Sequence, residues 1–180
     1  MPTAFLLYVR GITAVNRLLF RIAAALMFVV VPVMMYEVIA RYAFAAPTTW
    51  GMELATLLFG PYFLLGGPYL LHLRGHVNLD LARRAMSPGW NRFFELVNQP
   101  VIVAFCAILL YYSWPLAVQA WEFKETSFSA WNPPIWPVKF AVPLAVVLMA
   151  AQSIAEFLRV LFRDPTAFEP ASHDTPETAA

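Results

Sequence analysis

The sequence predicts an all-α integral membrane protein, with four transmembrane helices preceded by a short N-terminal interfacial helix. Three observations carry that expectation. Of 180 residues, 61% are hydrophobic and 13% charged, against about 45–50% and about 25% in an average soluble domain. A small soluble chain still exposes much of its surface and could not hide that excess. Four runs reach the length, about 20 apolar residues, that crosses a bilayer. The basic residues gather on one side of those runs.

The first span runs from Arg17 to Ala43, with the uncharged core Ile22 to Tyr36. The second covers Thr49 to Leu73 and has no fixed charge from Leu54 onward. The third covers Trp90 to Trp121, uncharged from Leu96. The fourth covers Pro134 to Phe162, uncharged from Phe140 to Ala155. Backbone groups in lipid must pair internally, which excludes open strands, and the runs are too long and continuous for barrel strands. Pro32, Pro61, Pro68, Pro100, Pro115 and Pro143 fall inside or near the ends of these spans, where each removes a donor and favours a kink. Ala43-Phe44-Ala45 offers a signal-peptide cleavage pattern, but the 21 residues before the apolar core are too long and varied for an n-region. A membrane domain over residues 1–163 is expected, followed by a disordered tail over 164–180 rich in Pro, Thr, Asp and Glu.

Of twelve Lys plus Arg, nine lie on one side of the spans: Arg10, Arg17, Arg21, Arg74, Arg83, Arg84, Arg92, Arg159 and Arg163. Arg41, Lys124 and Lys139 lie on the other. The basic side is expected to be cytoplasmic, which puts both termini inside. Trp50, Trp121, Trp131 and Trp136 mark the outer boundaries and Trp90 an inner one, with Trp114 the exception. Residues 4–16 place Phe5, Leu6, Val9, Ile12 and Val15 near one face, with Arg10, Thr13 and Asn16 elsewhere. This reads as an interfacial helix or as an extension of the first span. Residues Val77 to Met86 offer a second short amphipathic piece. The basic residues form no stripe, so no nucleic-acid partner is expected.

Ionisable groups at membrane depth need a partner or a purpose. Glu37 and Arg41 are four apart and share a helical face, and Glu53 lies at similar depth. They form either an ion or substrate cluster or a neutralised structural one, and the structural reading is preferred because no second acidic site is visible. His72, His76 and Asp80 are four apart, but Gly75 ends the helix between them, so a turn cap is preferred to a metal site. Gly60, Gly66 and Gly67 allow close approach, either to a partner protein or among the chain's own helices. Cys106 sits in an apolar run and reads as a packing residue. The serines have no neighbouring His, so no nucleophile and base pair is evident. Too few histidines face one another for a dihaem cytochrome. No cofactor is expected.

Several motifs together resemble one known family. They are Glu37-x3-Arg41-Tyr42-x-Phe44, Trp50-x2-Glu53-Leu54, Gly66-Gly67, and Arg74-Gly75-His76-Val77-x-Leu79-Asp80. In the second half come Glu125-Thr126-Ser127-Phe128-Ser129, Pro133-Pro134-Ile135-Trp136-Pro137-x-Lys139, Pro143 and Gln152. The chain so resembles the DctQ family, the small permease subunit of tripartite ATP-independent periplasmic (TRAP) transporters, over residues 15–163. The resemblance implies a bacterial inner-membrane protein with two partners, a large DctM-like permease subunit and a periplasmic substrate-binding protein. The large subunit would hold the substrate and sodium sites for organic acid uptake. It also implies structural roles here. Glu37, Arg41 and Glu53 would tie the first two spans together, and Arg74, His76 and Asp80 would fix the turn after the second. Trp50 and Trp136 would anchor depth in the lipid, and Lys139 would snorkel outward. The absence of an internal repeat or a mid-span charge fits a scaffold better than a complete carrier. A membrane anchor for a redox complex and an autonomous small carrier are the competing classes.

Overall fold

In a computed structural model, residues 3–73 and 88–162 are described. They form α1 (Thr3–Ala43), α2 (Gly51–His72), α3 (Pro88–Glu122) and α4 (Trp136–Leu161). All four are long and apolar enough to cross a membrane, so the chain is a multi-pass, all-α membrane protein. Arg74, His76, Asp80, the piece from 77 to 86 and the tail from 164 lie outside the described residues.

The six prolines all lie inside helices. Residues 4–16, expected at the interface, are helical and continue without a break into the first span. The segment is therefore the extension of the first span and not a separate interfacial helix, and Thr13 and Asn16 on its polar side are buried while Phe5 and Val15 are exposed. The reason is a polar partner on α4, described below. At 1.5 Å per residue α1 is about 60 Å long and α3 about 50 Å, against about 30 Å of hydrocarbon. Both therefore project beyond the lipid core.

Helix α4 is the centre of the bundle. It packs extensively on α3, and on α2 and α1, while α1 and α2 pack on each other. Fully 44% of its apolar stretch is buried, against 11% for α1 and for α3. Lipid tails are as apolar as leucine, so helices in lipid associate through close packing and polar contacts. The buried set matches that rule: Cys106, Ala117 and Ala120 on α3, and Ala141, Ala145 and Ala155 on α4. The large apolar side chains of α3, including Phe105, Tyr111, Tyr112 and Trp114, are exposed on the outside.

Candidate functional site

The polar residues of the bundle gather at its two ends. At the end carrying the α1–α2 and α3–α4 connections, Glu37 is only 2% exposed. Its Oε1 accepts hydrogen bonds from Arg41 Nε at 3.1 Å and Nη2 at 2.5 Å. Its Oε2 accepts from the Thr48 backbone N–H at 3.1 Å and from the Thr48 hydroxyl. Thr48 Oγ1 in turn accepts the Gly51 N–H at 3.1 Å. A Cβ on Gly51 would lie 2.7 Å from Thr48 Oγ1 and 3.0 Å from Glu37 Oε2. Glycine is thus required here so that α2 can begin against the carboxylate. Trp50, which precedes α2, stacks on Tyr36 with ring centroids 6.0 Å apart.

Glu53 goes elsewhere than expected. Its Oε2 accepts a 2.5 Å hydrogen bond from Ser129 Oγ. Two positions along a helix is a rotation of about 200°. With Gly51 turned toward Glu37, Glu53 faces the α3–α4 connection. That connection begins with a Schellman cap, in which Glu125 N–H bonds Ala120 C=O and Lys124 N–H bonds Trp121 C=O. Lys124 occupies the left-handed position usual for glycine, at φ 48°, and its ammonium sits 3.6 Å from the Trp121 ring centre. Thr126 and Pro134 then form an antiparallel bridge. Lys139 pairs with Glu125 at 2.6 Å across the bend, and Trp136 meets Trp121 edge to face at 4.5 Å. At the tip, Phe128 is 88% exposed and held at φ 55°.

The other end, toward the α1 N-terminus, holds a second cluster. The expectation that no second acidic site exists is corrected by two buried carboxylates, Glu95 and Glu156. Consecutive residues on α4 reach opposite neighbours. Gln152 Oε1 accepts from Asn16 Nδ2 on α1 at 2.8 Å. Ser153 Oγ donates to Gln99 on α3 at 2.7 Å. Gln152 Nε2 also donates to Glu156 Oε1 at 3.1 Å. His72, expected to cap a turn, instead lies with Nδ1 2.6 Å from Glu156 Oε1. The Nδ1 proton goes to that carboxylate, so the guanidinium of Arg159, 3.3 Å from both Glu156 oxygens, bonds the carboxylate and not the ring. Gln99 donates to Glu95 at 3.0 Å, and Arg92 caps α4 by donating to Leu161 C=O at 3.3 Å. The spacings Glu95-x3-Gln99 and Gln152-x3-Glu156 were the available signal for this cluster.

Gly66 and Gly67 take a different role from Gly51. A Cβ on either would make only ordinary contact, 3.9 Å from Phe20 and 4.0 Å from Met149 respectively. The space beside Gly66 stays open as a groove between α1 and α2.

Glu37 and Glu156 are each engaged by a group from a neighbouring element, Thr48 and His72, as well as by donors on their own helices, and Glu95 accepts from Gln99 on its own helix. Their chemistry is to hold helix against helix and loop against helix. A family profile described as tripartite ATP-independent periplasmic transporters, DctQ component, matches residues 30–163. No curated protein matches the chain. The matched region takes in the C-terminal third of α1 and all of α2, α3 and α4, and the chain therefore belongs to the DctQ family, the small membrane components of TRAP transporters.

Proposed function

We propose that this chain is the non-catalytic scaffold subunit of its transporter, supporting a large DctM-like permease during sodium-driven uptake of organic acids. The observation that carries the reading is the use of polar groups. Glu37, Glu53, Glu125 and Glu156 each bond a partner within the chain, and those bonds brace helices and loops. A brace gives a moving subunit something fixed to work against.

The chain resides in the bacterial inner membrane with both termini in the cytoplasm, a reading supported by the nine-to-three distribution of basic residues. The α1–α2 and α3–α4 connections then face the periplasm, and the exposed ring of Phe128 offers a contact to a periplasmic substrate-binding protein. Trp50 and Trp136 set the depth of the bundle at that surface.

Reconstitution into liposomes tests the reading. Uptake is expected only when this chain, the large permease and the binding protein are present together with a sodium gradient. Uptake by this chain alone would refute the scaffold role.

A further inference from the structure

Helix α1 carries Arg10, Arg17 and Arg21, all exposed. On a helix turning about 100° per residue the three fall within about 40° of one another. No basic stripe was expected from the sequence, and the unbroken helix from residue 3 creates one. From Thr3 to Tyr36 the helix has no Asp or Glu. Among the described residues none of the three arginines has an ion pair, whereas Arg41 and Arg159 do.

Beside the stripe lies the groove between α1 and α2, about 150 Å³ in volume. Ala23 and Gly66 are its buried floor and Phe20 one wall, and Ala24, Phe63 and Leu70 are its exposed rim. Arg17 stands one turn before Phe20, and Arg21 one turn before Ala24. Side chains on a helix lean toward its N-terminus, so these guanidiniums lean away from the groove toward the helix end. Long arginine side chains at the end of a span snorkel toward the headgroups, while the apolar groove extends from Phe20 into the span.

We propose that groove and stripe together form a binding site for an anionic phospholipid of the leaflet on the α1 N-terminal side. One acyl chain lies between α1 and α2, and the phosphate rests on Arg17 and Arg21, whose planar forks suit it. Arg10 extends the positive surface outward. A diffuse basic surface would attract anionic lipid without selecting a position. The apolar slot beside the charges is what makes this a site.

Native mass spectrometry of the full chain, released from mixed phosphatidylglycerol and phosphatidylcholine nanodiscs, reads lipid retention without any transport assay. The expected result is saturable retention of phosphatidylglycerol over phosphatidylcholine, undisturbed by soluble glycerol phosphate. The double variant Arg17→Gln/Arg21→Gln should weaken phosphatidylglycerol about twenty-five-fold, about five-fold per arginine, and leave phosphatidylcholine unchanged. Gly66→Leu fills the groove with the arginines intact and should abolish the saturable component. Ala24→Phe, at the exposed rim, repeats that test should Gly66→Leu misfold. Equal retention of the two lipids would overturn the proposal. So would phosphatidylglycerol binding that survives both groove substitutions, or capture of protein instead of lipid by a photocrosslinker at Phe63 in the assembled transporter.

Discussion

The buried carboxylate of Glu37 accepts both the backbone N–H and the hydroxyl of Thr48, eleven residues further on and across the α1–α2 turn. A side chain inside one helix therefore shapes the start of the next. Removing the interaction from either side tests it. Glu37→Ala and Thr48→Val should each destabilise the solubilised protein. A double-mutant cycle by thermal unfolding should return a coupling energy of about 1 kcal/mol or more. Additive losses would mean that the two residues act separately.

Gly51 and Gly66 make a contrasting pair. Gly51→Ala pushes a methyl into Thr48 and Glu37 and should cost about 1–3 kcal/mol, as overpacking does. Gly66→Ala meets only open space and Phe20 and should be neutral or stabilising by up to about 1 kcal/mol, from helix propensity. Equal losses at the two positions, read by thermal unfolding, would contradict the geometry.

At the opposite end, Glu156 collects His72, Gln152 and Arg159. Glu156→Ala leaves several donors facing one another without their shared acceptor and should cost about 3 kcal/mol or more. His72→Ala leaves the carboxylate with Gln152 and Arg159 and should cost about 1 kcal/mol, near the scale of single interhelical hydrogen bonds. Chemical unfolding in detergent would rank the two. A larger loss at His72 would reverse the assignment of Glu156 as the hub.

Phe128 is a bulky, exposed residue held in the left-handed region, a local conflict that costs about 1–2 kcal/mol. Phe128→Gly should therefore leave the folded protein as stable or more so. If the ring meets the binding protein, the same substitution should lower uptake by the reconstituted transporter several-fold. Unchanged uptake would remove Phe128 from the docking surface.

The spans were legible in the sequence because apolar length is a local property, and the boundaries at Ala43, His72, Glu122 and Trp136 lie within a few residues of expectation. The Glu37–Arg41 pair was legible for the same reason, being four residues apart on one helix. The bond from Glu53 to Ser129 joins residues 76 apart, and the bond from Asn16 to Gln152 joins residues 136 apart. No periodicity within one helix encodes such pairings. Glu156 also stood at the edge of an apolar run, where it read as the end of a span and not as part of the interior. Gly51 escaped notice because its constraint comes from a carboxylate on another helix.

The placement of Gln152 and Ser153 has a mechanical consequence. As neighbours in sequence they pin α4 to α1 on one flank and to α3 on the other. The two pins are fixed to one backbone, so turning α4 about its own axis strains both. A load applied to α3 reaches α1 through α4, and α2 through α4 and the Glu53–Ser129 bond, much as a spar carries the force between two wings. The bundle's stiffness is set at that spar, and loosening it at Gln152 would slacken the whole frame without touching either outer surface.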